Sequence, residues 1–111
     1  MVDDNADVRG SLAAVLRSAG YAVTEAPGGF AALEHLRSAP VDAIVLDVFM
    51  PGLSGLELLD MIDDPPPVAL LTVFEDDPEV VARRDKVATH LQKPVAPREL
   101  LRAVAALFAR P

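Results

Sequence analysis

A chain of 111 residues, 51% of them apolar, suffices for one hydrophobic core and is short for two, so a single domain over residues 1–111 is expected. Seventeen acidic against ten basic residues give a net charge of −7, which argues against direct binding to nucleic acid or an anionic membrane surface. With no cysteine, disulfides, thiolate metal sites and a thiol nucleophile are excluded. The opening "MVDDNADVRG" is acidic where a secretion signal is basic and then apolar, and no apolar run approaches membrane-spanning length; a soluble cytoplasmic protein is expected.

In chain order, Val8, Leu12, Val15, Leu16 and Ala19 recur at helical spacing. They predict a first helix over roughly residues 6 to 19, started by Asn5 and Asp7 and stopped by Gly20. "YAVTEA" is a short strand candidate closed by Pro27, Gly28 and Gly29. A second helix carries Phe30, Leu33, Leu36 and Arg37, with His35 on its surface, and ends near Ala39 and Pro40. "DAIVLD" is continuously apolar between its acids, the pattern of a strand covered on both faces, and it places Asp47 at a strand's carboxyl end. Leu56, Leu59 and Ile62 mark a third helix, stopped by Pro65, Pro66 and Pro67, which cannot donate helical hydrogen bonds. "VALLT" is the next buried strand, followed by an acidic, solvated loop at Glu75, Asp76 and Asp77 and a short helix over 78–84. "THLQ" is the last strand, and Pro97 opens a final helix striped by Leu100, Val104, Leu107 and Phe108.

Alternating strands and helices with short connections predict an α/β fold: an open, doubly wound parallel sheet with helices on both faces. Functional groups of such sheets gather beyond the carboxyl ends of the strands. There stand Asp3 and Asp4, Asp47, Thr72, and Lys93 followed by Pro94. Taken singly, each has a plain reading: acids at a helix start, a turn opener, a strand hydroxyl, a solvated lysine. Those readings do not explain why all five positions meet on one edge.

In this order the motifs "DD", "DVFMPGLSG", Thr72 after an apolar strand and "KP" resemble the receiver domain of two-component response regulators, of the chemotaxis and nitrogen-fixation-regulator type. The resemblance covers essentially the whole chain and implies a flavodoxin-like, five-stranded parallel sheet. Only Met1 and Val2 stand where the family has a full first strand, so that strand looks truncated and an upstream apolar continuation is expected. The resemblance also implies that Asp47 accepts a phosphoryl group from a sensor histidine kinase or phosphotransfer protein. Mg²⁺ would be held by Asp3, Asp4, Asp47 and the backbone carbonyl of Phe49, a set of hard oxygen donors. Two carboxylates about 5 Å apart repel by about 3 kcal/mol at an effective dielectric near 20, which gives such a site its appetite for a cation. Lys93 and Thr72 are then the phosphoryl-binding groups, and the bond before Pro94 is expected to be cis. His90 occupies the family's aromatic switch position, with a plain half-exposed histidine as the equal reading. Phe49, Val73 and Phe74 flank the site, where large side chains are expected to lengthen the life of an acyl phosphate.

Two other readings stay open at this point. One is a receiver-like docking or dimerisation module that is not phosphorylated. The other is a small aspartyl-phosphate phosphohydrolase, which the resemblance disfavours because Phe49 stands where those enzymes usually carry a second aspartate. An effector domain or a homodimer partner is among the expected partners, whereas nucleic acid and membrane are not.

Overall fold

The computed structural model describes residues 1–108 and places β1 (Ile44–Asp47), β2 (Val68–Thr72) and β3 (Thr89–Gln92) side by side in a parallel sheet of order β1-β2-β3. Ile44 lies opposite Val68, and Ala69 opposite Thr89. Five helices surround it: α1 (Ala6–Ser18), α2 (Gly29–Ser38), α3 (Gly55–Met61), α4 (Pro78–Val81) and α5 (Pro97–Phe108), with a 3₁₀ turn at Arg84–Lys86.

Every residue of β1 and β2 is buried. The reason is the doubly wound arrangement, because successive side chains enter opposite layers. Ile44, Leu46, Val68 and Leu70 pack with Leu33 of α2, Leu58 of α3 and Val80 of α4. Val45, Ala69 and Leu71 pack with Leu12 and Leu16 of α1 and Leu100 and Val104 of α5.

The sheet is narrower in regular pairing than the five strands expected. "YAVTEA" forms no ladder: only Ala26 bridges Val2, and Val2 in turn bridges Leu46. The central position is one residue deep, so its neighbour on the outer side has a single partner to pair with. The five-position parallel order nevertheless exists as Ala26, Val2, β1, β2, β3. Other differences are local. α3 ends at Met61, before the prolines, and Ile62 is extended. The short helix after the acidic loop stops at Val81. Phe30 is exposed, because the buried residues of α2 are Gly29, Ala32 and Leu33. Phe108 is half-exposed yet stacks on Tyr21, with ring centroids 5.5 Å apart.

Candidate functional site

Three polar residues are buried among the described ones: Asp3, Asp47 and Thr72, and all three lie at the carboxyl edge of the sheet. Their positions follow from the strands. The Val2 amide donates to the Val45 carbonyl at 2.8 Å and the Asp47 amide donates to the Val2 carbonyl at 2.9 Å, which sets Asp3 beside the end of β1. The Asp3 amide donates to the Ala26 carbonyl at 3.2 Å, closing the other side. Asp47 and Thr72 are the last residues of β1 and β2, and Lys93 follows β3 directly.

The structure brings the carboxylates of Asp3, Asp4 and Asp47 together, with one oxygen of each within 4.8 Å of the others. Asp4 is the exposed member. The ammonium of Lys93 donates to Asp3 Oδ2 at 3.2 Å and to Asp47 Oδ1 at 3.1 Å. Burial raises the Asp47 pKa to about 6, Asp3 adds to the rise, and the hydrogen bond from Lys93 opposes it. Burial pulls the Lys93 ammonium down, but its bonds to Asp47 and Asp3 outweigh that and hold it above the ordinary value. Three carboxylates against one ammonium leave a formal surplus of two negative charges. Oxygen-only donors at this separation and with this surplus fit a hard divalent cation such as Mg²⁺.

The remaining residues sit around this centre. Thr72 Oγ1 accepts the Phe74 amide at 3.0 Å, so the hydroxyl is engaged in a local turn at the strand end. Phe49 and Phe74 are 48% and 62% exposed, and their rings meet edge to face with centroids 6.0 Å apart. They contact each other above the strand ends and do not bury themselves against the sheet. Val73, beside them, is also exposed. The Lys93–Pro94 peptide is cis. His90 is half-buried within β3, paired in register with Leu70 and away from the acidic centre along its strand. Asp77, expected only as a solvated loop residue, caps α4 by accepting the Glu79 amide at 2.8 Å.

The loop after β1 is shaped by glycine. Gly52 has φ of 77°, where a β-carbon is strained. At Gly55 a β-carbon would collide with the Asp47 carbonyl oxygen, so only glycine lets α3 start against the backbone of that residue. Ser54 and Glu57 then close a reciprocal capping box at the start of α3.

Sequence reasoning passed over Arg9. Its guanidinium donates to the Asp3 carbonyl at 3.0 Å and to Glu25 at 3.3 Å, tying α1 to the acidic loop. The Asn5 amide also donates to Asp3 Oδ1 at 2.9 Å. The available signal was that Arg9 lies one helical turn after the capping Asn5, on the same end of α1 as the aspartates.

Known proteins are similar to this chain in sequence and fold. Residues 1–105 match the response regulator receiver domain family. The response regulator MprA of Mycobacterium ulcerans is 43% identical over 99% of this chain, and that of Mycobacterium avium 42%. The chain spans about half the length of these curated relatives. Among solved structures, a putative response regulator from Chloroflexus aurantiacus superposes with a TM-score of 0.87 at 34% identity, covering 98% of this chain and 94% of that one. The chemotaxis protein CheY4 of Vibrio cholerae superposes with a TM-score of 0.86 at 30% identity, covering 96% and 93%. With a family match over nearly the whole chain and the acidic edge built as described, this chain belongs to the response regulator receiver domain family.

Proposed function

We propose that this receiver domain, taken as residues 1–111, is switched by phosphorylation of Asp47 and that its donor is a sensor histidine kinase or a phosphotransfer protein. One observation carries the reading: a buried carboxylate at a strand end, in contact with a lysine and gathered with two further carboxylates. An Asp47 oxygen attacks the phosphorus of a phosphohistidine; the N–P bond breaks, its electron pair returns to the imidazole, and an acyl phosphate forms on Asp47. Asp3, Asp4, Asp47 and the Phe49 carbonyl would hold a Mg²⁺, which would supply charge neutralisation for the incoming phosphoryl group. Lys93 keeps its charge and turns from carboxylate to phosphoryl oxygen. Thr72 exchanges its bond to the Phe74 amide for one to the same group, which draws the loop after β2 inward.

The chain is a phosphoacceptor with slow self-dephosphorylation, not a turnover enzyme. The surface that changes is formed by α4, β3 and α5, with His90 as the residue that turns on β3. Partners on that surface are an effector domain or a second receiver, in the cytoplasm. Among the described residues no helix is long and apolar enough to cross a membrane.

The test is incubation with acetyl phosphate and Mg²⁺, followed by intact-mass measurement. The parent gains one phosphoryl group and Asp47→Asn does not. An unmodified parent with Mg²⁺ bound would support the docking module instead, and modification retained in Asp47→Asn would remove Asp47 as the acceptor.

A further inference from the structure

The three carboxylates of the acidic edge are held in unequal ways. Asp3 is fixed by both oxygens: Oδ1 accepts the Asn5 amide at 2.9 Å and Oδ2 accepts the Lys93 ammonium at 3.2 Å. Asp47 is buried at the end of β1 and accepts from the same ammonium at 3.1 Å. Asp4 is exposed, and among the described residues its carboxylate shares in none of these bonds. Its place within 4.8 Å of the other two is therefore set by its backbone.

A residue between two fixed peptide planes has little freedom to redirect its β-carbon, because only φ and ψ join the planes. Both planes flanking Asp4 are tied. On the far side the Asn5 amide bonds to Asp3, and Asn5 Oδ1 accepts the Val8 amide at 3.0 Å to cap α1. On the near side the Asp3 carbonyl accepts Arg9 Nη1 at 3.0 Å. Arg9 stands four residues after Asn5, and its own amide closes on the Asn5 carbonyl at 2.9 Å. Its Nε donates to Glu25 Oε1 at 3.3 Å, while Arg17 donates to the other oxygen of Glu25 at 3.0 Å and to the Val23 carbonyl at 3.0 Å. The Arg9 side chain is only 18% exposed, so this fork lies against the molecule and is little shared with solvent.

We propose that Arg9, braced by Glu25 and Arg17, is a positioning residue for the cation site: it locks the Asp3–Asp4 peptide so that Asp4 presents its carboxylate beside those of Asp3 and Asp47. The role rests on Mg²⁺ binding at these three aspartates and is indifferent to the phosphoryl donor. Two separate nitrogens on one plane serve the Asp3 carbonyl and Glu25 at once, which the single ammonium of a lysine does not reproduce. The sign of the effect separates positioning from charge. A guanidinium acting through charge alone repels Mg²⁺, so its removal would tighten binding. One that orders the aspartates favours binding, so its removal loosens it.

The experiment titrates the metal-free 111-residue chain with Mg²⁺, followed by backbone amide shifts, for the parent, Arg9→Ala, Arg9→Lys and Leu107→Ala. Both Arg9 variants are expected to bind Mg²⁺ about tenfold more weakly and to exchange the Asn5 amide about tenfold faster. Leu107→Ala, which opens the core at α5, should lower the melting midpoint and keep the parent's Mg²⁺ affinity. Phosphorylation of Arg9→Lys by acetyl phosphate should slow at limiting Mg²⁺ and return to the parent rate at saturating Mg²⁺, as a loss of metal affinity alone requires. Parent-like affinity in Arg9→Lys, or tighter binding in Arg9→Ala, would overturn the positioning role, and Arg9→Lys decides the matter where Arg9→Ala fails to fold. A parent that takes up no Mg²⁺ would overturn the cation site and this role with it. A parent that binds Mg²⁺ but accepts no phosphoryl group would overturn the phosphorylation of Asp47 alone, with weaker binding by the Arg9 variants still supporting the role.

Discussion

Asp47 carries opposing demands at the level of one side chain. Its pKa is raised from 3.8 to about 6, by burial first and by Asp3 second. A carboxyl whose folded pKa lies above its unfolded value contributes stability that is fully present below the unfolded pKa and lost as pH rises through the folded one. Metal-free protein should therefore lose urea resistance between about pH 4 and about pH 7, and Asp47→Asn should lose less and be the more stable form at neutral pH. Saturating Mg²⁺ should narrow that difference by stabilising the parent alone; equal curves for the two proteins at every pH would mean the carboxylates do not interact. The Phe49 and Phe74 rings make a second prediction. The two rings meet edge to face just past the ends of β1 and β2, and under the proposed phosphorylation of Asp47 they are expected to restrict the approach of water to the acyl phosphate. Phe49→Asn combined with Phe74→Glu should shorten the phosphorylated lifetime several-fold, followed as loss of the modified mass; an unchanged decay would remove the aromatic gate. Most of these positions were legible in the sequence because each lies at the end of an apolar strand or within two residues of it. Arg9 was not, because a single arginine on a helix gives no sign of which carbonyl it will reach.

Among the elements, α3 and α4 show how local chemistry and long-range pairing share the work. Ser54 and Glu57 make α3's start self-sufficient, and Ser54→Ala should cost about 1 kcal/mol in urea unfolding. α4 has only four residues and depends on outside support. Arg83 beyond it pairs with Asp60 of α3 at 2.7 Å and with Glu79 at 2.9 Å, and Lys86 pairs with Asp60 at 2.8 Å. Arg83 and then Lys86 hold the Asp60 carboxyl well below the usual carboxylate range. Both partners reach solvent, so Asp60→Ala should cost less than about 1 kcal/mol globally. Its larger effect should be faster amide exchange in α4 and the following 3₁₀ turn, an effect that fades in high salt. The helix ends misread from the sequence belong to this scale. α3 was extended to the prolines because Ile62 fits its stripe, yet the backbone turns at Asp64, whose φ is 52°. The outer strand was read from its composition, while its pairing depended on how much of a neighbouring strand was there to meet it.

For the whole molecule, two apolar layers on either side of one buried sheet decide stability. Leu58 in one and Leu100 in the other are fully buried. Truncating either to Ala should cost about 2–5 kcal/mol, a large share of the roughly 5–15 kcal/mol of a typical domain. Urea midpoints should fall while the slopes hold, as two-state loss of a shared core requires. A change in slope for one variant alone would show that the two layers unfold separately. This level was the most legible, since continuous apolar strands between amphipathic helices admit few arrangements.

Lys93 bonds to Asp3 across 90 positions of sequence and to Asp47 across 46. During synthesis the aspartates leave the ribosome first, and the cation that balances them follows 46 positions after the second of them. A nascent chain stopped before Lys93 carries both carboxylates with no ammonium between them, and the strand that delivers it is the last in sequence of the three-stranded sheet. The acidic centre thus closes only when the third regular strand joins the sheet, and α5 adds Leu100, Val104 and Leu107 to the core after it.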